Sequence, residues 1–84
     1  MKAIILSAHA LSKCESRGFT PDDVVEAIRH ETWVASERGR LECRRDVIFA
    51  SEWNGQWYAT RQIRPIFVEE PYGIVVVTVY TYYF

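Results

Sequence analysis

His9, Lys13 and Arg17 stand four residues apart, and residues four apart share one face of a helix. An imidazole, an ammonium and a guanidinium in one row combine a proton-transfer group with two anion binders. Histidine titrates near neutral pH, so His9 is the natural general acid or base. The two cations would keep it neutral and could hold a phosphate. The same row also fits the polar stripe of an amphipathic helix, with Arg17, next to Gly18, bonding the helix's terminal carbonyls.

Two further groups carry chemistry. Arg61 and Arg64 are three apart and so point to opposite faces of a regular strand, unless a bulge at Pro65 changes the alternation. Arg44 and Arg45 behave alike on a neighbouring segment. Arginines on a sheet, interleaved with Trp53, Trp57 and Tyr58, match a surface that grips phosphates and stacks bases of RNA. Cross-strand pairing with Glu42, Asp46 and Glu52 is the plainer use of the same charges. Thr78, Tyr80 and Tyr82 share one strand face by alternation, with Val75, Val77 and Val79 on the other. A tyrosine hydroxyl at the centre of a sheet orients a phosphate or passes a proton, or is simply half-buried. Tyr82, Tyr83 and Phe84 crowd the end of the sequence as packing or partner-contact residues.

The elements that must position these groups are readable from local signals. Ser7 caps a first helix running to about Arg17, which Gly18 ends in a left-handed conformation. Thr20-Pro21-Asp22-Asp23 opens a second helix, with a cap, a proline at the first position and acids at the positive end of the dipole. Val24, Val25, Ala27 and Ile28 form its apolar stripe, and His30 falls near its end as a dipole partner. Strands are predicted over 32–37, 41–53, 56–68 and 74–82. Asn54-Gly55 joins the second and third as a tight hairpin. Pro65 marks a bulge or an unpaired position. The expected fold is α+β, two N-terminal helices packed on a four-stranded antiparallel sheet in the order ααββββ.

With 84 residues the chain is read as one domain spanning 1–84. Hydrophobic residues make up 49% and aromatics 14%, which suits a packed globule. A net charge of −1 gives no global pull toward nucleic acid, yet Arg38–Arg64 holds six basic residues against three acidic ones. Eight of the ten cations are arginine, the side chain best shaped for bidentate phosphate contacts. Cys14 and Cys43 form no close pair, and no Cys/His cluster has zinc-site spacing, so free thiols, no metal and a cytoplasmic location are expected. No phosphate loop, dinucleotide motif or nucleophile elbow points to a cofactor. Ala3-Ile4-Ile5-Leu6 is too short for a signal-peptide core, and no segment reaches the roughly 20 apolar residues of a membrane span.

His9-Ala10, Arg17-Gly18-Phe19-Thr20 and Thr78-Val79-Tyr80 together resemble the pattern of a small bacterial family, the domain of unknown function 4258, over roughly residues 5–82. That family is similar in layout to the RelE/ParE and BrnT toxins, compact α+β proteins grouped with metal-independent ribonucleases. The resemblance implies RNA cleavage through the ribose 2′-hydroxyl and a cognate antitoxin as partner. It casts His9 as general base or acid, with Lys13, Arg17 and Arg61 stabilising the phosphate charge. It casts Tyr80 as the residue that orients the phosphate or donates a proton, and Arg44, Arg45, Arg64 and Trp57 remain the RNA-binding candidates. The competing reading is a non-catalytic interaction module that docks a protein through an edge strand and the aromatic segment Tyr80–Phe84.

Overall fold

The computed structural model describes residues 2–84. Ile4–Leu6 forms β1, which is followed by three helices: α1 (Ala8–Ser12), α2 (Cys14–Arg17) and α3 (Pro21–His30). Five strands come next: β2 (Val34–Ala35), β3 (Leu41–Glu42), β4 (Arg45–Trp53), β5 (Gln56–Glu70) and β6 (Gly73–Tyr83). The sheet runs β1-β6-β5-β3-β2, and β4 pairs with β5 beyond the end of β3. No helix among the described residues is long and apolar enough to cross a membrane.

The expected two helices on four antiparallel strands do not form. The sheet has six strands and is mixed, because β1 runs parallel to β6 in the register Ile4↔Ile74, Leu6↔Val76. Three apolar residues make a strand here because a long buried strand offers them an edge. The first helix also breaks. Lys13 N–H donates to Ala10 O at 3.2 Å, a tightened turn, and the Ser12 hydroxyl donates to His9 O at 2.6 Å. Such a hydroxyl competes with the helical ladder. His9, Lys13 and Arg17 therefore do not lie on one continuous helix. The strand expected at 32–37 shrinks to Val34–Ala35 and is followed by a 3-10 turn at Glu37–Gly39.

Other local signals act where they stand. The Ser7 hydroxyl accepts from Ala10 N–H at 3.1 Å and donates to Val77 O at 3.0 Å, capping α1 and docking it on β6. Thr20 and Asp23 close a capping box on α3. Asn54 and Gly55 both take positive φ, 51° and 83°, in the β4–β5 hairpin. Thr60 and Phe84 exchange two backbone hydrogen bonds, so even-numbered residues of β5 near them face β6 and odd-numbered ones face away. Pro65 thus turns its missing N–H toward the other neighbour. There the partner chain is interrupted at Cys43-Arg44, between β3 and β4.

One bulge overturns the simple alternation on β6. The register passes from Ile66↔Thr78 to Phe67↔Val76, leaving Val77 as the extra residue. Ile74, Val76 and Val79 consequently share the face beneath the helices and are fully buried, with Phe67 and Ile63 of β5 and Val24, Ala27 and Ile28 of α3. Val75 and Val77 do not join them. Each large aliphatic or aromatic side chain in this core contributes roughly 1.5–3 kcal/mol by leaving water. The opposite face carries Thr78, Tyr80 and Tyr82 and has no helix over it.

The joint between α2 and α3 is tightly packed. Gly18 has φ 76°, and a Cβ there would meet Tyr83 Oη and the Trp53 ring at 2.8 Å. Gly18→Ala combines left-handed strain with overpacking, so a loss of roughly 2–4 kcal/mol is expected, read as a lowered midpoint in urea unfolding. A variant as stable as wild type would show that the joint is slack.

Candidate functional site

The uncovered sheet face holds a groove of about 640 Å³. Its floor comes from three strands: Glu42 on β3, Arg64 and Ile66 on β5, Thr78 and Tyr80 on β6. Its wall is the loop 35–40, which contributes Ser36, Glu37, Arg38 and Arg40. The loop closes on itself through Ser36 N–H to Arg40 O at 2.8 Å. Arg38 and Gly39 both take positive φ, 58° and 71°. An arginine in that conformation costs roughly 1 kcal/mol, and such strain collects at functional positions.

Arg17 and Arg64 converge on Tyr80. Arg17 comes across the part of the β6 edge that β1 leaves free. Its Nη1 donates to Val79 O at 2.8 Å and to Thr78 Oγ1 at 3.2 Å, and its guanidinium carbon lies 5.1 Å from the centre of the Tyr80 ring. Arg64 comes from the neighbouring strand and lies 5.6 Å from the same ring. Its fork grips Glu42 in two bonds, Nε to Oε2 at 2.8 Å and Nη2 to Oε1 at 2.9 Å, while Nη1 donates to Tyr82 Oη at 3.0 Å. Glu42 is nearly buried. The Arg64 hydrogen bonds hold its carboxyl at about 2, against the opposing effect of burial, and raise the Arg64 guanidinium above its already high value. Arg64 is thus a fixed donor array, and among the described residues the side chains of Arg38 and Arg40 make no hydrogen bond or ion pair, while the Arg40 backbone closes the loop.

The remaining candidates lie elsewhere. His9 is exposed on α1 and Lys13 half-exposed at the α1–α2 break, and neither lines the groove. Arg61 is on the helix-covered face, as its spacing from Arg64 requires. Its Nη1 donates to Gly18 O at 2.6 Å, Nη2 reaches Asp23 Oδ2 at 3.5 Å, and it lies over Phe49 at 5.5 Å. That guanidinium caps α2 and ties down the start of α3, both of its Nη groups facing protein oxygens. Arg45 pairs with Glu31 at 2.9 Å on the same side. Arg44 is exposed and touches Glu42 only at 3.5 Å, at the border of the groove. Trp57 is exposed near the hairpin end, opposite Glu52, apart from these arginines. His30 pairs with Glu26 one turn away on α3.

Arg38, Arg40 and Glu42 had no signal as site residues beyond belonging to the arginine-rich stretch. Among the described residues no three His, Cys, Asp or Glu side chains come together as a metal site. The groove suits an anion that is held by guanidiniums beside an aromatic hydroxyl. Comparison with family models, with curated proteins and with solved structures returned no match to this chain.

The Glu42–Arg64 pair has a pH signature. Its carboxyl titrates at about 2 in the fold against 4.5 ordinarily. A depressed pKa contributes stability above the ordinary value, and that stability is lost as pH falls from about 4.5 toward 2. Glu42→Gln should unfold more easily than wild type at neutral pH, by at most ~3 kcal/mol. The difference should shrink across that acid window, measured as urea unfolding at several pH values. A difference independent of pH would mean the pair is not charged in the fold.

Proposed function

We propose that the open-face groove binds an RNA phosphodiester and that this protein is a metal-independent endoribonuclease of the toxin type. The observation that carries the reading is the convergence of Arg17 and Arg64 on Tyr80, beside the unpaired Arg38 and Arg40. In such a reaction the ribose 2′-oxygen attacks phosphorus and the 5′-oxygen leaves. Negative charge grows on the phosphoryl oxygens, and preorganised guanidiniums stabilise it. Arg17 retains donors that point to no protein acceptor, and Arg38 and Arg40 are free to close over the phosphate. Tyr80 sits between the guanidiniums, and among the described residues its hydroxyl makes no hydrogen bond. This placement supports a role in orienting the phosphate or in protonating the leaving oxygen.

His9 takes the proton-transfer part only if RNA brings its 2′-oxygen out to α1, the helix that docks beside the Arg17 crossing. Cys14 and Cys43 are free, the Cys43 thiol pushed up to about 12 by burial, and the reading places the protein in a reduced cytoplasm. The resemblance to the domain of unknown function 4258 supports the reading and adds an antitoxin as partner.

Wild type, Tyr80→Phe and His9→Ala, each expressed from a tightly repressed promoter, test this through growth and RNA integrity. Wild type should arrest growth and fragment RNA. Tyr80→Phe should keep the melting temperature and lose roughly 10²-fold in cleavage. Wild type that leaves both growth and purified RNA intact sinks the proposal. Arg38→Gly offers a second check. It removes left-handed strain and a phosphate contact together, so stability should stay within about 1 kcal/mol of wild type. RNA affinity should fall, with a salt slope lower by about one, measured by fluorescence anisotropy across salt concentrations.

A further inference from the structure

We infer that Tyr82 and Phe84 form a stacking strip for unpaired bases, so that the ligand is specifically a single strand. The inference deepens the proposed function and rests on its phosphate groove. Tyr82 on β6 and Phe84 just past its end share the uncovered face and are 42% and 58% exposed, whereas the Tyr80 ring is taken by Arg17 and Arg64. The neighbouring Thr81 and Tyr83 turn to the helix side, where both hydroxyls donate to Arg17 O. Alternate residues of a strand stand about 6.7 Å apart, twice the 3.4 Å between successive bases of a duplex strand. Rings at this spacing cannot follow a stacked helix. They match a strand whose bases have been drawn apart, each able to rest on a ring.

The strip is held in place. Arg64 donates to Tyr82 Oη at 3.0 Å and lies over Tyr80. Phe84 is pinned by its two backbone bonds to Thr60, at 2.8 and 3.0 Å. Charge complementarity selects the occupant. The strip begins at Tyr82, beside the arginine-bordered groove and bonded to Arg64, and runs away from it. Its acidic neighbours are satisfied, Glu42 by Arg64 and Asp46 by the Gln62 amide at 2.9 Å. A polyanion can therefore lay its phosphates along Arg17, Arg38 and Arg40 while its bases meet the rings. Base–aromatic stacking is tolerant of sequence, because every base has a π-face.

The test uses the intact chain and labelled 2′-O-methyl oligouridine, which cannot be cleaved through its 2′-oxygen. An abasic backbone of equal length keeps the phosphates and removes the bases. Wild type should prefer the oligouridine over the abasic strand and over a duplex. Phe84→Leu keeps apolar bulk without a ring and should weaken oligouridine binding by at least about fivefold, leaving abasic binding unchanged. Tyr82→Phe, which keeps its ring, should retain the preference. Equal binding of the two strands by wild type, or no effect of Phe84→Leu, overturns the strip while the phosphate groove stands. Absence of binding to either strand overturns both.

Discussion

The two carbonyls that close α2, those of Arg17 and Gly18, are the joint on which both faces of the sheet depend. The last carbonyls of a helix lack partners within it. Here the sheet supplies them: Thr81 and Tyr83 donate to Arg17 O at 2.6 and 2.9 Å, and Arg61 donates to Gly18 O at 2.6 Å. The main chain of Arg17 is thereby anchored on the helix side. Its side chain crosses the edge of β6 and ends on the opposite face, over Tyr80. One residue links the packing of the helices to the geometry of the groove. Its bond to Val79 O also occupies a carbonyl on a stretch of edge that β1 is too short to cover.

The groove contains a carboxylate as well as its arginines, which looks contrary to an anion site. The Glu42–Arg64 pair resolves this. Compared with apolar residues of the same volume, a buried pair of this sort offers little net stability, since desolvation offsets attraction, although removing one partner is costly. What it supplies is orientation: two parallel bonds leave the Arg64 guanidinium one arrangement, and that arrangement places Tyr82 and Tyr80. The positive charge available to a ligand then comes from Arg17, Arg38 and Arg40, around a scaffold that is already neutral at its centre.

Signals confined to a few adjacent residues were legible in the sequence. The Ser7 and Thr20 caps, the Asn54-Gly55 turn, the interruption at Pro65 and the opposite directions of Arg61 and Arg64 all follow from short-range sterics or alternation. What escaped was decided at long range. Ile4–Leu6 pairs with residues 70 positions away, and nothing in three apolar residues announces a parallel partner. The bulge at Val77 shifts the face assignment of Val79 by one residue, and a run in which almost every residue is β-branched or aromatic reads the same with or without it. The break at Lys13 separates a row that ideal helical spacing joins. Arg61 and Arg64 look equivalent in sequence. One caps a helix and the other faces the groove, because only the fold places Gly18 O on one side and Glu42 on the other.

The interruption of the partner chain opposite Pro65 has a consequence for how the molecule avoids its own kind. Sheet edges recruit other edges when they run long and straight. The rim beside β5 is cut at Cys43-Arg44 and bent again beyond Ile48, where Ala50 takes φ 45°. The outermost strands, β1 and β2, are three and two residues long. The stretch of β6 that β1 leaves free is crossed by Arg17 at Val79 O, which breaks that rim as well, even though strand makes up about half of this chain.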